Sequence, residues 1–314
     1  MIKVKKNIPN KLISIFNDKK ISSVIRKYFE YLESKSLSEN TIRNYLYDLI
    51  EYFIFCKSNK ISPLSSLKPT YQRPMISFII SKGIKRSSVV RKISAIRSFD
   101  NFLERFKYSK NNYSALLSVT RKEKLLPNVM TTGEINSLIT TVRNSPKYIL
   151  RDEALIELIY SSGLRVSEAS KLTIRDINFD KSEIKIIGKG NKERIVILGK
   201  YSTTILKKYL ADSRKILSLS SSPVFLNKYG KSITPRSIQR IIKKYIQLSG
   251  LDSNFSTHSL RHSFATHMLD GGADLKVIQQ LLGHSSPETT KIYTHVSSAS
   301  MKEVYEKAHP RALK

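Results

Sequence analysis

Cysteine is almost missing from this chain: Cys56 is the only one among 314 residues. A lone thiol excludes an intramolecular disulfide and a cysteine-based zinc site, and its place in the apolar run EYFIFC marks it as a buried structural thiol. Long hydrophobic runs are missing too. No stretch approaches the ~18 uninterrupted apolar residues of a membrane span. The opening MIKVKKNIPNKLISIF lacks both the apolar core and the small-residue cleavage site of a signal peptide. A reducing, cytoplasmic setting without a membrane partner is therefore expected. Acidic side chains are scarce, 25 against 55 Lys and Arg, giving a formal charge of +30. Residues 1–120 hold 23 basic and 8 acidic side chains and residues 121–314 hold 32 and 17, so both parts are equally basic. An even spread points to two basic domains facing one polyanion, with nucleic acid the obvious candidate. On charge alone, solvated lysine-rich surfaces remain an alternative. Histidine is absent until position 258, and all six lie between 258 and 309. That skew favours a localised site without saying which of the six belong to it.

Periodicity predicts a mainly α protein with one small antiparallel β-sheet. Residues 1–20 read as a basic N-terminal extension or a loosely docked first helix. From Ser22 the spacing is helical, through Val24, Ile25, Tyr28, Phe29 and Leu32. A second stripe, capped by Ser38 or Asn40, runs through Ile42, Tyr45, Leu46, Leu49, Tyr52 and Phe53. KISPLSSLKPTYQRP, with Pro63, Pro69 and Pro74, reads as a connection. A helix over 75–82 and a longer one from Ser87 or Ser88 complete a helical domain at 21–115. Residues 116–130 have no clean period and read as a linker. In the second domain, 131–314, Thr131 and Glu134 suit a capping box, and a hairpin is expected from Ser182–Ile187 and Glu193–Leu198. Helices are expected over 202–216, 235–248, 259–269 and 274–282, with Gly283 closing the last.

The chemistry gathers late in the chain. LLGHSSPETTKIYTHV holds His284 and Tyr293, and Tyr293 reads as a nucleophile toward a DNA phosphate. A phenol ionises near pH 10, so such a tyrosine needs cations around the phosphate and a nearby proton acceptor. SSGLRVSEA supplies Arg165 after a glycine turn at a helix start, a combination that suits a bound phosphate, with Glu168 placed to hold it. An ordinary surface arginine paired with glutamate is the alternative. Lys189 sits at the hairpin tip, where a flexible ammonium either stays solvated or reaches a leaving oxygen. In STHSLRHSFATHM, His258 and Arg261 share a helical face. His258 and His262 also have zinc-pair spacing, but no carboxylate sits at the third-ligand position and Arg261 would place a cation beside the ion, so no metal is expected. In the first domain Lys85, Arg86, Arg91, Lys92 and Arg97 cluster on the last long helix or the loop before it, either against phosphates or as a solvated face.

Together GLRVSEA, IIGKGNKERIVILG, HSLRHSFATHML, LLGHSSPETTKIYTHV and the terminal HPRA resemble the tyrosine recombinases, most closely the Xer-type site-specific recombinases. Order and spacing agree across residues 131–314, and the helical domain resembles the family's SAM-like core-binding domain in length and charge. Two departures are small: Ser162 stands where the family often has threonine, and the first 20 residues extend beyond the compact pattern. The resemblance implies two domains forming a C-shaped clamp on DNA. It also implies a set of roles: Arg165 and Arg261 on the scissile phosphate, Lys189 as general acid, His258 as proton acceptor or relay, His284 as a phosphate hydrogen-bond donor, and Tyr293 forming a 3′-phosphotyrosyl bond. No cofactor is implied. The implied partner is double-stranded DNA with a short inverted-repeat core site. The implied assembly is a homotetramer on paired sites, or a heterotetramer with a related recombinase, on the nucleoid. Residues 301–314 would dock on a neighbouring protomer. Chromosome or plasmid dimer resolution is the expected role, with a mobile-element integrase, a strand-relaxing topoisomerase and a non-catalytic architectural protein as alternatives.

Overall fold

The structure, a computed structural model, describes residues 8–35, 37–117, 128–145, 149–187, 193–213, 222–283 and 298–312. The chain divides into two compact units, Met1–Lys124 and Leu125–Lys314.

The first unit is helical: α1 (Asn10–Ser14), α2 (Lys19–Ser34), α3 (Glu39–Ser58), α4 (Pro69–Ile80) and α5 (Arg86–Arg105). Side-chain caps set the starts of α2 and α3. Asp18 accepts from the backbone N–H of Lys20 and Ile21, and Ser38 accepts from that of Thr41. The apolar stripes of α2, α3 and α5 meet in an aromatic core, where the Tyr28 ring lies 5.0 Å from Phe99 and 5.2 Å from Phe102. Cys56 is fully buried there, and burial pushes its thiol up to about 12.

Of the two forms expected at the start of the chain, residues 8–16 take the docked first helix: Ile8 and Leu12 are buried, and Lys57 Nζ donates to the Ile15 carbonyl. The proline-rich connection turns helical earlier than its composition suggests. Pro69 occupies the first turn of α4, where a missing N–H is tolerated, and Pro74 is carried inside the helix.

The second unit is built around α7 (Leu150–Ser162), whose residues from Asp152 to Ser162 are all buried. Packed around it are α6 (Thr132–Arg143), α8 (Val166–Lys171), α9 (Lys200–Lys208), α10 (Pro235–Leu248), α11 (Thr257–Asp270) and α12 (Leu275–Leu282). The Thr131–Glu134 capping box opens α6. A three-stranded antiparallel sheet, β1 (Ile177–Asn178), β2 (Glu183–Ile187) and β3 (Glu193–Ile197), runs in the order β1-β2-β3, with Ile184 opposite Val196. After Lys208 the helix widens into a π-turn, Tyr209–Ser213.

The last helix, α13 (Ser298–Ala308), packs against α11 and β3 of its own chain. Tyr305, Ala308 and Ala312 are buried among Phe264, Met268, Ile278 and Leu281. Two glycines admit the segment: a Cβ on Gly271 would stand 2.2 Å from the Ala308 carbonyl oxygen, and one on Gly199 would stand 2.6 Å from that of Arg311. Among the described residues, no helix is long and apolar enough to cross a membrane.

Candidate active site

Three arginines from distant parts of the second unit meet at one carboxylate. The arrangement begins where α7 ends. Gly163 closes the helix in the left-handed region, φ 60° and ψ 26°, a conformation glycine adopts without steric penalty. Close packing demands glycine as well, because a Cβ there would stand 2.6 Å from Phe264 Cδ1 and 2.9 Å from Leu282 Cδ2. The turn delivers Arg165 to the N-cap position of α8.

Glu168, in the first turn of α8, reaches back to it. Its Oε2 accepts the Arg165 backbone N–H at 2.8 Å and its Oε1 accepts Arg165 Nη1 at 3.0 Å. From β3, Arg194 places Nη1 and Nη2 on the same two oxygens, each at 2.8 Å, and donates Nε–H to the Leu281 carbonyl at 2.9 Å. From α11, Arg261 donates Nη1–H to the Gly163 carbonyl and Nη2–H to that of Leu282 at 2.6 Å. Its Nη1 is 4.0 Å from Glu168 Oε2.

The charges do not balance: three guanidinium groups surround a single carboxylate. Burial pushes the Glu168 carboxyl upward, but the bonds from Arg194 and Arg165 outweigh it and hold the group below its ordinary value. Burial and the nearby Arg165 and Arg194 cations bring Arg261 down to about 10, with Glu168 pulling the other way. Exposure separates the three. The Arg165 side chain is 41% exposed, against 11% for Arg194 and 10% for Arg261. Such a site holds fixed cations with Arg165 facing solvent, and it suits an anion with several oxygens, above all a phosphodiester.

Of the residues singled out in the sequence, Arg165, Glu168 and Arg261 are thus brought together. His258 lies on α11 one turn before Arg261 and is exposed, its backbone N–H donating to the Ser256 cap. Lys189, His284 and Tyr293 lie outside the described residues. Arg194 is a site residue that the sequence reading does not single out. Its signal is a basic residue on the same strand face as the buried Val196, one that alternation alone marks as inward.

The basic cluster of the first unit is largely engaged internally. Lys92 is buried and pairs with Asp48 at 3.3 Å and Glu51 at 3.1 Å, and Arg91 also pairs with Asp48. Arg97 donates to the Ser114 and Leu117 carbonyls. Lys85 and Arg86 are exposed at the start of α5. The histidine skew resolves in part into packing. His267 Nδ1 is 2.8 Å from the Tyr160 hydroxyl, and the His309 ring lies 5.0 Å from both Tyr160 and Tyr305. Among the described residues, no group of three or more His, Cys, Asp or Glu is placed to hold a metal ion.

The Phage integrase family matches residues 128–300, and the family described as Phage integrase, N-terminal SAM-like domain, matches residues 25–107. The chain is 39% identical to the tyrosine recombinase XerC of Natranaerobius thermophilus over 293 residues, covering 91% of this chain and 98% of that protein. It is 37% identical to the tyrosine recombinase XerD of Staphylococcus epidermidis over 295 residues, covering 93% and 100%. Among solved structures it is similar to the XerH site-specific recombinase bound to difH substrate, with a TM-score of 0.64, 23% identity and coverage of 96% and 91%.

Proposed function

The chain belongs to the phage integrase family of tyrosine recombinases, enzymes that cut and rejoin DNA, and we propose that it does so through a 3′-phosphotyrosyl intermediate on Tyr293. Arg165 and Arg261 hold the non-bridging oxygens of the scissile phosphate. Lys189 protonates the 5′ oxygen, whose alcohol is too weakly acidic to leave as an alkoxide. His258 takes the phenolic proton, and His284 hydrogen-bonds the phosphate. Negative charge grows on the phosphate oxygens in the transition state, and cations already fixed in place stabilise it without rearrangement. The phosphotyrosyl bond conserves the energy of the phosphodiester. A 5′-hydroxyl from another strand can therefore reverse the step without ATP.

The observation that carries this reading is the convergence of Arg165 and Arg261 beside Glu168, with Arg165 exposed. Its test is single-turnover cleavage of a nicked duplex bearing the protein's own footprinted site. Arg165→Ala and Arg261→Ala should each retain DNA binding and lose roughly 100- to 1,000-fold in cleavage rate. Unchanged rates would remove both from the phosphate site.

The biological act we propose is Xer-like recombination between paired short inverted-repeat sites, resolving chromosome or plasmid dimers. Similarity along nearly the whole length of XerC and XerD relatives supports it. Two duplexes with two strand exchanges each call for four protomers. Those protomers are four copies of this chain or a mixed set with a related recombinase, its relatives including both XerC and XerD. Strand exchange by this protein alone on its footprinted site separates the two assemblies, and a mobile-element role would show as exchange between unlike sites.

A further inference from the structure

Arg194 does more in this site than neutralise a neighbour. Its side chain is 11% exposed, and all three of its nitrogens are in use. Nη1 and Nη2 form a parallel fork onto the two oxygens of Glu168, and Nε binds the Leu281 carbonyl near the end of α12. The stem of the side chain lies against Gly283, which closes α12 at φ 63°; a Cβ there would stand 2.8 Å from Arg194 Cδ. One guanidinium thus ties three separate elements, β3, α8 and α12, to one point. A lysine could supply the charge but not the planar fork or the third bond.

With its donors committed and its surface covered, Arg194 is poorly placed to touch a phosphate itself. It is well placed to decide what Glu168 does. Glu168 receives Arg165 through the backbone N–H and Nη1, and it receives Arg194 through two charged bonds. Burial works against the charge on Glu168, so removing Arg194 leaves Arg165 as the main group keeping the carboxylate ionised. A neutral Glu168 would hold the Arg165 guanidinium only weakly. Arg261, 4.0 Å away, would lose the counter-charge beside it.

We propose that Arg194 is a positioning residue for strand cleavage: by forking onto Glu168 and anchoring to the Leu281 carbonyl, it fixes the carboxylate that orients Arg165 toward the scissile phosphate. The proposal rests on the reading that Arg165 binds that phosphate.

The test uses the full-length protein, a nicked duplex carrying its footprinted site, and single-turnover cleavage rates measured beside the DNA dissociation constant. Arg194→Gln should bind DNA within about threefold of wild type and cleave about 10- to 100-fold more slowly, the range usual for groups that orient a first-line ligand. Its rate should also fall more steeply than wild type as pH is lowered, as Glu168 takes up a proton. Adding Glu168→Gln should abolish that extra pH dependence. Arg194→Lys keeps a cation beside Glu168 and guards against a folding defect in the neutral variant. It should cleave about tenfold more slowly than wild type without the new pH dependence, because charge is retained and the fork is lost.

Three results would overturn the proposal: wild-type cleavage in both Arg194 variants, a rate loss in Arg194→Gln whose pH profile matches wild type, or equal losses of DNA binding and cleavage. Arg165→Ala separates this inference from its premise. If that variant cleaves normally, the phosphate-site reading fails. If it is inactive while Arg194→Gln is normal, only the positioning role of Arg194 fails.

Discussion

A methyl group on Gly163 has nowhere to go. The residue holds φ at 60°, and the space where a Cβ would stand is taken by Phe264 and Leu282. Gly163→Ala should therefore lower stability by about 2–5 kcal/mol, combining the left-handed backbone penalty with overpacking. It should also reduce cleavage, since the Gly163 carbonyl is an acceptor for Arg261. A denaturant midpoint equal to wild type would contradict the packing described. At this scale the sequence is informative where an unusual residue sits in an unusual place. Arg165 after a glycine turn, with Glu168 three residues on, announces itself, and Arg261 comes with a recognisable helix. Arg194 does not, because strand alternation shows that a side chain points inward but not that it meets a carboxylate 26 residues earlier. His267 and His309 mislead in the other direction. Their crowding in sequence suggests chemistry, whereas His267 meets the Tyr160 hydroxyl and both rings pack into an aromatic cluster.

Elements with strong periodicity and explicit caps can be read in advance. α2, α3, α6, α10 and the β2–β3 pair stand close to where their patterns place them. The misses share a cause: tertiary packing outweighs local signals. α4 forms in spite of Pro74, and β1, too short to show alternation, forms by pairing with β2. The docked C-terminal segment offers a test at this scale. Glu157 on α7 is fully buried and pairs with Arg311 at 3.6 Å; burial raises its carboxyl from 4.5 to about 7, against the pull of Arg311. A raised acid favours the folded state below its unfolded value and loses that contribution as pH climbs to about 7. His309 does the reverse. Burial, with the neighbouring His267 and Arg311, depresses it from 6.5 to about 3, so its contribution is present above 6.5 and fades as pH falls toward 3. The two slopes oppose each other between 4.5 and 6.5. In Glu157→Gln the opposing slope disappears. The melting temperature should then rise with pH across that window more steeply than in wild type. Parallel profiles would show that Glu157 is not titrating in this pocket.

Across the whole molecule, the excess of 55 basic over 25 acidic side chains is shared between the two parts of the chain, which fits a protein that meets DNA along an extended surface. Part of that charge is structural, as Lys92 and Arg97 show, so net charge overstates the number of phosphate contacts. Binding to duplex DNA should weaken steeply with salt, with a log–log slope of about −0.9 per phosphate contacted. A slope equivalent to about one contact would contradict binding by a broad basic surface. Attack by Tyr293, as proposed, predicts that this residue carries the broken strand. The direct measurement is denaturing electrophoresis of wild type and Tyr293→Phe on a nicked duplex with the footprinted site, with mass spectrometry of any DNA-linked peptide. Wild type should yield a covalent adduct mapping to Tyr293, and the variant should bind DNA without one. A covalent adduct in Tyr293→Phe, or a wild-type adduct on any other residue, would contradict the assignment.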